Sequence, residues 1–212
     1  DEMWDEQDGF FYDLLRLPDG HAMRLKVRSM VGLLPLCAST VFEGDVEQRY
    51  PKLMEMVALF RSRHPELVSQ VAPTDSGFKG YMNRRLLAVL NKAKLERVLG
   101  YLLDENEFLG PYGTRSLSRY HQDHPFRFYV GHQLYEVRYL PAESDTGMFG
   151  GNSNWRGPVW MPVNTLIVRG LLNLYAFYGN DFKVQCPTGS GRYMTLYEVG
   201  KEIVARLSRT FL

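Results

Sequence analysis

Between Glu143 and Asn164 the chain reads Glu-Ser-Asp-Thr-Gly-Met-Phe-Gly-Gly-Asn-Ser-Asn-Trp-Arg-Gly-Pro-Val-Trp-Met-Pro-Val-Asn, its densest run of glycines, tryptophans and polar side chains. Recognition of a sugar needs directed donors and acceptors for the hydroxyls and flat surfaces for the apolar ring faces. Asn152, Asn154, Arg156 and Asn164 can supply the first; Trp155 and Trp160 can supply the second. Gly150, Gly151 and Gly157 let backbone come close to a ligand. A helix starting at Pro158 would aim free backbone N–H groups at the same place. The same residues also fit a loop anchored by tryptophans packed into a core, with Arg156 paired to a buried carboxylate.

Other chemistry is less well provided for. The five histidines are scattered, and His121 and His124 beside Tyr120 match no metal set or catalytic triad. They are expected to be satisfied by nearby backbone. The acidic opening, Asp1, Glu2, Asp5, Glu6, Asp8 and Asp13, lacks the spacing of an EF-hand loop and reads as a solvated acidic loop. No metal and no cofactor is expected. Cys37 and Cys186 stand far apart and form no disulfide framework, which points to a reducing, cytoplasmic setting.

Composition narrows the class further. With 212 residues, 45% of them hydrophobic, the chain can bury a sizeable core. Lys plus Arg number 25 against 24 Asp plus Glu, so no field favours nucleic acid or an anionic membrane. No apolar run reaches the roughly 18 residues that cross a bilayer. The opening residues do not form a signal peptide. The first residue is not Met and the last lie in an apparent helix, so both ends read as cuts in a longer polypeptide.

The elements that must position these residues are mostly helical by pattern. Asp8-Gly9 and Pro18-Asp19-Gly20 punctuate an opening hairpin or extended loop. Val27 to Phe42, apolar almost all round, predicts a buried helix kinked at Pro35. Leu53, Met56, Val57 and Phe60 mark an amphipathic helix over residues 50 to 63, ended by His64-Pro65. Met82 to Asp104 predicts the strongest helix, leucines on one side and Arg84, Arg85, Lys92, Lys94 and Arg97 on the other. That basic side reads as a solvated face, or as a helical interaction module. A hairpin over residues 126 to 139 interrupts the helices around Gly131. Pro158 to Tyr178 predicts a long helix stopped by Gly179, and Thr195-Leu-Tyr-Glu198 a capping box opening a last one. The long connections 105 to 125 and 140 to 157 are where function is expected.

Trp155-Arg-Gly-Pro-Val-Trp160 followed by Pro162-Val-Asn164 resembles a segment of glycoside hydrolase family 63, including its processing α-glucosidases and mannosylglycerate-hydrolase-like bacterial branch. The blocks Asp5 to Asp13, Leu25 to Leu33, Ser116 to Tyr120 and Asp181 to Gly191 are similar to that branch in the same order, so the resemblance covers most of the chain. It implies a mainly α fold: part of an (α/α)6 toroid of the six-hairpin glycosidase type, with a β-hairpin insertion, the whole of 1–212 being one segment truncated at both ends. It also implies inverting hydrolysis of α-glucosidic or α-mannosidic bonds in an oligosaccharide or small glycoside. Two carboxylic groups about 6.5 to 9.5 Å apart would do this. The family's acid is expected before residue 1 and its base after residue 212, so no catalytic residue is assigned here. Asp5 and Glu143, beside motif blocks, are the carboxylates expected to touch substrate; each also fits a loop carboxylate that caps a turn. With Asn152, Trp155, Arg156, Gly157, Trp160 and Asn164 they make the candidate substrate contacts. The alternative is a non-catalytic carbohydrate-binding or structural fragment.

Overall fold

The computed structural model describes residues 2–68, 79–141 and 158–212. The opening residues form two tight hairpins. Trp4–Asp5 (β1) pairs with Phe10–Phe11 (β2), and Asp13–Arg16 (β3) with Ala22–Leu25 (β4), each around one of the Gly-containing turns. Phe10 and Tyr12 are buried, so the hairpins pack inward although their turns are polar.

Val27 to Phe42 does not make the expected helix. Met30–Cys37 winds as a 3-10 segment and Ser39–Phe42 (β5) is a strand. Pro35 lacks an N–H for an α-helical ladder. At Gly32, an added Cβ would lie 2.3 Å from the Phe10 ring and 2.5 Å from the Phe11 carbonyl, so this segment is pressed against β2. Thr40 and Val41 then favour extended backbone.

Short Val46–Arg49 (α1), then Pro51–Arg63 (α2) and Pro65–Val68 (α3), follow. Helix α2 ends at His64 as its proline requires, but none of its residues is buried. The helix expected over Met82 to Asp104 is divided. Arg85–Ala88 (β6) pairs antiparallel with β5, Thr40 opposite Leu87 and Val41 opposite Leu86. Only Lys92–Leu102 (α4) is α-helical, its N-terminus capped by Asn91, whose side chain accepts from the Lys94 N–H. Leu86 and Ala88 are buried and Leu87 exposed, an alternation of period two that the surrounding leucines disguise. The basic side is divided with it: Arg84 pairs with Glu43 and Arg85 with Glu47, off the helix.

Leu109–Gly110 (β7) and Gly113–Thr114 (β8) form a small ribbon, followed by a 3-10 turn at Arg119–Gln122. Phe126–Val130 (β9) and Gln133–Val137 (β10) make the expected hairpin around Gly131. Met161–Tyr178 (α5) begins three residues later than Pro158, with Pro162 in its first turn, and Gly179 ends it. Lys183–Gln185 (β11) pairs with Tyr193–Thr195 (β12), which runs into Leu196–Ser208 (α6) through the expected capping box.

Ile167, Leu171 and Leu174 line one face of α5 at helical spacing and are almost fully buried. They join Leu95, Leu99 and Leu102 of α4, Val199 and Ile203 of α6, and Leu33, Leu36 and Phe108 in one core. The fold is therefore mixed, with six separate two-stranded sheets among the described residues, and the mainly α toroid expected from the sequence is not what the structure has. Pro35, the packing of Gly32 on β2 and the pairing of Arg85–Ala88 with β5 convert two stretches read as helices into 3-10 backbone and strands.

Candidate functional site

The string from Trp155 to Asn164 enters the described region at Pro158, and its far end is tied down tightly. Asn164, on the first turn of α5, is 0% exposed. Its Oδ1 accepts from the Thr114 N–H at 2.7 Å, and its Nδ2 donates to the carbonyls of Thr114 at 3.1 Å and Trp160 at 3.0 Å. One side-chain amide thus satisfies both backbone groups of a strand residue. Beside it, Val159 bridges to Arg115 and the Ser116 N–H donates to the Pro158 carbonyl. Trp160 is half-buried and packs against the core.

The partner of this segment is the stretch from Glu105 to Gln122, within the connection singled out by its length. Arg115 shapes it from inside: one nitrogen, Nη1, donates to the carbonyls of Glu105, Glu107 and Leu109 at 2.9, 3.1 and 3.0 Å. Arg206 on α6 holds the outside, donating to the Gly110 carbonyl and pairing with Glu105 and Glu202. These cationic forks fold the stretch without using a long helix or strand.

On its other flank the stretch meets the opening blocks. Leu117 bridges to Ser29, and the Ser118 N–H donates to the Arg28 carbonyl at 2.9 Å. The Arg28 guanidinium pairs with Glu107, which also accepts from the Ser118 hydroxyl. It lies 4.0 Å from the Tyr120 ring centre and 5.1 Å from that of Tyr101. His124 stacks on Tyr120 at 4.3 Å, so this ring is engaged by two cation-capable side chains. Burial pushes the Glu107 carboxyl above its ordinary value, while Ser118 and Arg28 pull it back. His121 accepts the Arg28 N–H at Nε2 and meets the His124 carbonyl through Nδ1 at 2.9 Å. An acceptor at Nε2 requires the neutral ring protonated on Nδ1, and burial lowers its pKa accordingly. Both histidines are satisfied by backbone, as expected.

Asp5 is the other sequence candidate in view, and it is 8% exposed. Its Oδ1 accepts from the N–H groups of Gln7 and Asp8, closing the β1–β2 turn, and its Oδ2 lies 3.2 Å from Lys26 Nζ. The hydrogen bond from the Asp8 N–H, opposed by burial and aided by Lys26, holds its carboxyl below the ordinary 3.8. Lys26 also reaches Asp8, which accepts the Tyr12 hydroxyl at 2.9 Å. Arg97 donates to the carbonyls of Glu6 and Gln7, fastening this turn to α4.

Three of the sequence blocks, Asp5 to Asp13, Leu25 to Leu33 and Ser116 to Tyr120, thus converge in one network, and the tryptophan string joins it through Arg115 and Ser116. Asn164 serves that frame by holding backbone, with all its polar atoms turned inward. Asp5 caps a turn, the second of its two sequence readings. Asn152, Trp155, Arg156, Gly157 and Glu143 lie outside the described residues. Glu107, Arg28 and Tyr12 belong to this network although nothing in the sequence singled them out: Glu107 sits in the polar run Asp104-Glu-Asn-Glu107. What encloses it is Arg28, distant in sequence. Among the described residues no group of three His, Cys, Asp or Glu could hold a metal ion, and no helix is long and apolar enough to cross a membrane.

The chain belongs to the mannosylglycerate hydrolase MGH1-like glycoside hydrolase domain family, which matches residues 80–208. That match takes in the Glu105 to Gln122 stretch, the tryptophan string, α5 and α6. The resemblance to glycoside hydrolase family 63 and its mannosylglycerate-hydrolase-like members agrees with it. A Saccharomyces cerevisiae protein, named uncharacterized protein YMR196W, is 46% identical over 210 residues, 99% of this chain and 19% of its own length. The chain therefore spans about a fifth of that relative. Asp5 and Arg28 fall outside the family match, and almost the whole chain lies within the yeast one. A yeast relative does not place the chain in the bacterial branch.

Proposed function

We propose that the polypeptide carrying this chain is a glycoside hydrolase that cleaves α-glucosidic or α-mannosidic bonds of oligosaccharides or small glycosides with inversion, acting in the cytoplasm without a cofactor. The family membership over residues 80–208 carries the reading. The chain contributes, as one segment of the catalytic domain, pocket walls and substrate contacts: Trp155, Trp160 and Arg156 on the string, with Asn152, Gly157 and Glu143 beside them. Support for a wall comes from the anchoring of the string's end by Asn164 and Val159, since contacts that position a sugar must themselves be held. The acid and base of the inverting reaction are assigned to the remainder of the polypeptide, where they would face each other across the scissile oxygen.

The test is hydrolysis by the full-length polypeptide of a panel of α-glucosides and α-mannosides, with the product anomer followed by proton NMR. Release of the β-anomer and a drop in kcat/KM of at least about tenfold in Arg156→Ala, equivalent to one lost charged hydrogen bond, are expected. No monosaccharide release, together with an Arg156→Ala protein indistinguishable from wild type, would sink the reading. Binding of oligosaccharides without turnover would favour a non-catalytic carbohydrate-binding role.

A further inference from the structure

Away from the string, between β5 and the outward side of α5, lies a half-open groove of about 480 Å³. That volume is in the range of small-molecule pockets, roughly 300 to 1,000 Å³. Its floor is backbone: at Gly170 an added Cβ would sit 2.7 Å from the Leu36 carbonyl, so α5 touches the 3-10 segment there. The walls carry Ser39, Thr40, Glu43, Arg84, Arg169 and Asn173, with Leu166 and Val41 as the apolar part.

Two polar groups of this groove are held in place with capacity to spare. Arg84 is held by Glu43 at 3.0 Å and by the Ala176 carbonyl at 3.2 Å, through Nε and Nη1, which leaves Nη2 for another acceptor. Asn173 donates to the Ser39 carbonyl at 3.2 Å, which leaves its Oδ1. The Ser39 hydroxyl is buried without a hydrogen-bond partner, an uncommon condition for a polar atom. Arg169 has no ion-pair partner among the described residues and is exposed.

Donors and acceptors are both present on these walls. A protein interface would be depleted of charged side chains at its centre, which this groove is not. An anion would face Glu43 as well as the arginines. We propose that the groove is a second carbohydrate subsite, taking one or two neutral sugar units through hydroxyl contacts to Asn173, Arg84 and Arg169. The inference rests on reading the parent polypeptide as carbohydrate-active, and it adds a binding site separate from the tryptophan string.

The experiment is isothermal titration of the full-length polypeptide with linear α-linked gluco- and manno-oligosaccharides of two to six units. Two classes of site are expected. Arg169→Ala should weaken one class by roughly fivefold to tenfold, the loss of about one hydrogen bond. Leu166→Trp, which fills the groove, should remove that class while the other keeps its affinity. Arg169 is exposed, so its substitution tests the site even where the tryptophan variant does not fold. A single class of site, titrating alike in wild type, Arg169→Ala and Leu166→Trp, overturns the subsite. Hydrolysis measured in parallel separates the two readings. Arg169-dependent binding without turnover would overturn the proposed reaction alone; turnover with one Arg169-insensitive site would overturn the subsite alone. No oligosaccharide binding would overturn both.

Discussion

Asn164 shows how much one side chain can hold. Its amide occupies the place of a third strand next to Thr114, and the side chain is wholly buried. Asn164→Leu keeps the volume and removes the polar atoms, leaving a buried N–H and a buried carbonyl unpaired. A loss of about 3 kcal/mol is expected, on the scale of one to three for each unsatisfied group. Urea unfolding should show a lower midpoint with an unchanged slope.

His121 and Asp5 make the chain sensitive to acid in two windows. The His121 pKa is lowered in the fold, so the unfolded chain binds more protons below the ordinary 6.5. Its stabilisation is present above that value and is lost as pH falls through the folded value. Nitrogen chemical shifts should report the Nδ1-protonated tautomer and a titration below 6.5; a ring half-protonated at or above 6.5 would contradict the assignment. The Asp5 pKa is also lowered, so its contribution is present above 3.8 and fades below it. Thermal midpoints measured between about pH 2.5 and 5 should fall less steeply in Asp5→Asn than in wild type.

At the level of elements, the punctuation was easier to read than the elements themselves. Thr195 and Glu198 close a reciprocal cap, with the Glu198 carboxylate accepting the Thr195 N–H at 2.8 Å. Thr195→Ala is expected to destabilise the protein by about 1 kcal/mol, measurable by chemical denaturation. The hairpin around Gly131, the stop at His64-Pro65 and Gly179 beyond α5 were all legible because each depends on one or two residues with fixed backbone preferences. Over Arg85–Ala88 the sequence misleads, because consecutive leucines satisfy a helical period and a strand period alike. The choice is made by β5 on the other side, a partner more than forty residues away. The site divides in the same way. The string's tryptophans and asparagines announce themselves by type, whereas Glu107 acquires its character only when Arg28 and Ser118 close on it.

Across the whole molecule, the core is one body, but α2 stands apart from it. Met56 is 68% exposed and Phe60 50%, with Leu53 and Val57 on the same helix also exposed. A run of such residues is sticky in water. The 212-residue chain prepared by itself is expected to bind a hydrophobic dye and to associate as its concentration rises. Met56→Lys combined with Phe60→Lys should suppress both, and sedimentation velocity would show it; association undiminished in the double variant would locate the contact elsewhere.

The six ribbons have a consequence for how such chains go wrong. A two-stranded sheet has two open sides, and each open side is a template on which a foreign strand can grow. Here some of the templating atoms are already spoken for by side chains: Asn164 occupies both backbone groups of Thr114 in β8, and Asn173 takes the Ser39 carbonyl at the start of β5. A side-chain amide ends the ladder where a backbone would extend it. Asparagine at these two places works as a terminator, capping backbone that would otherwise be open to fibre growth along those edges.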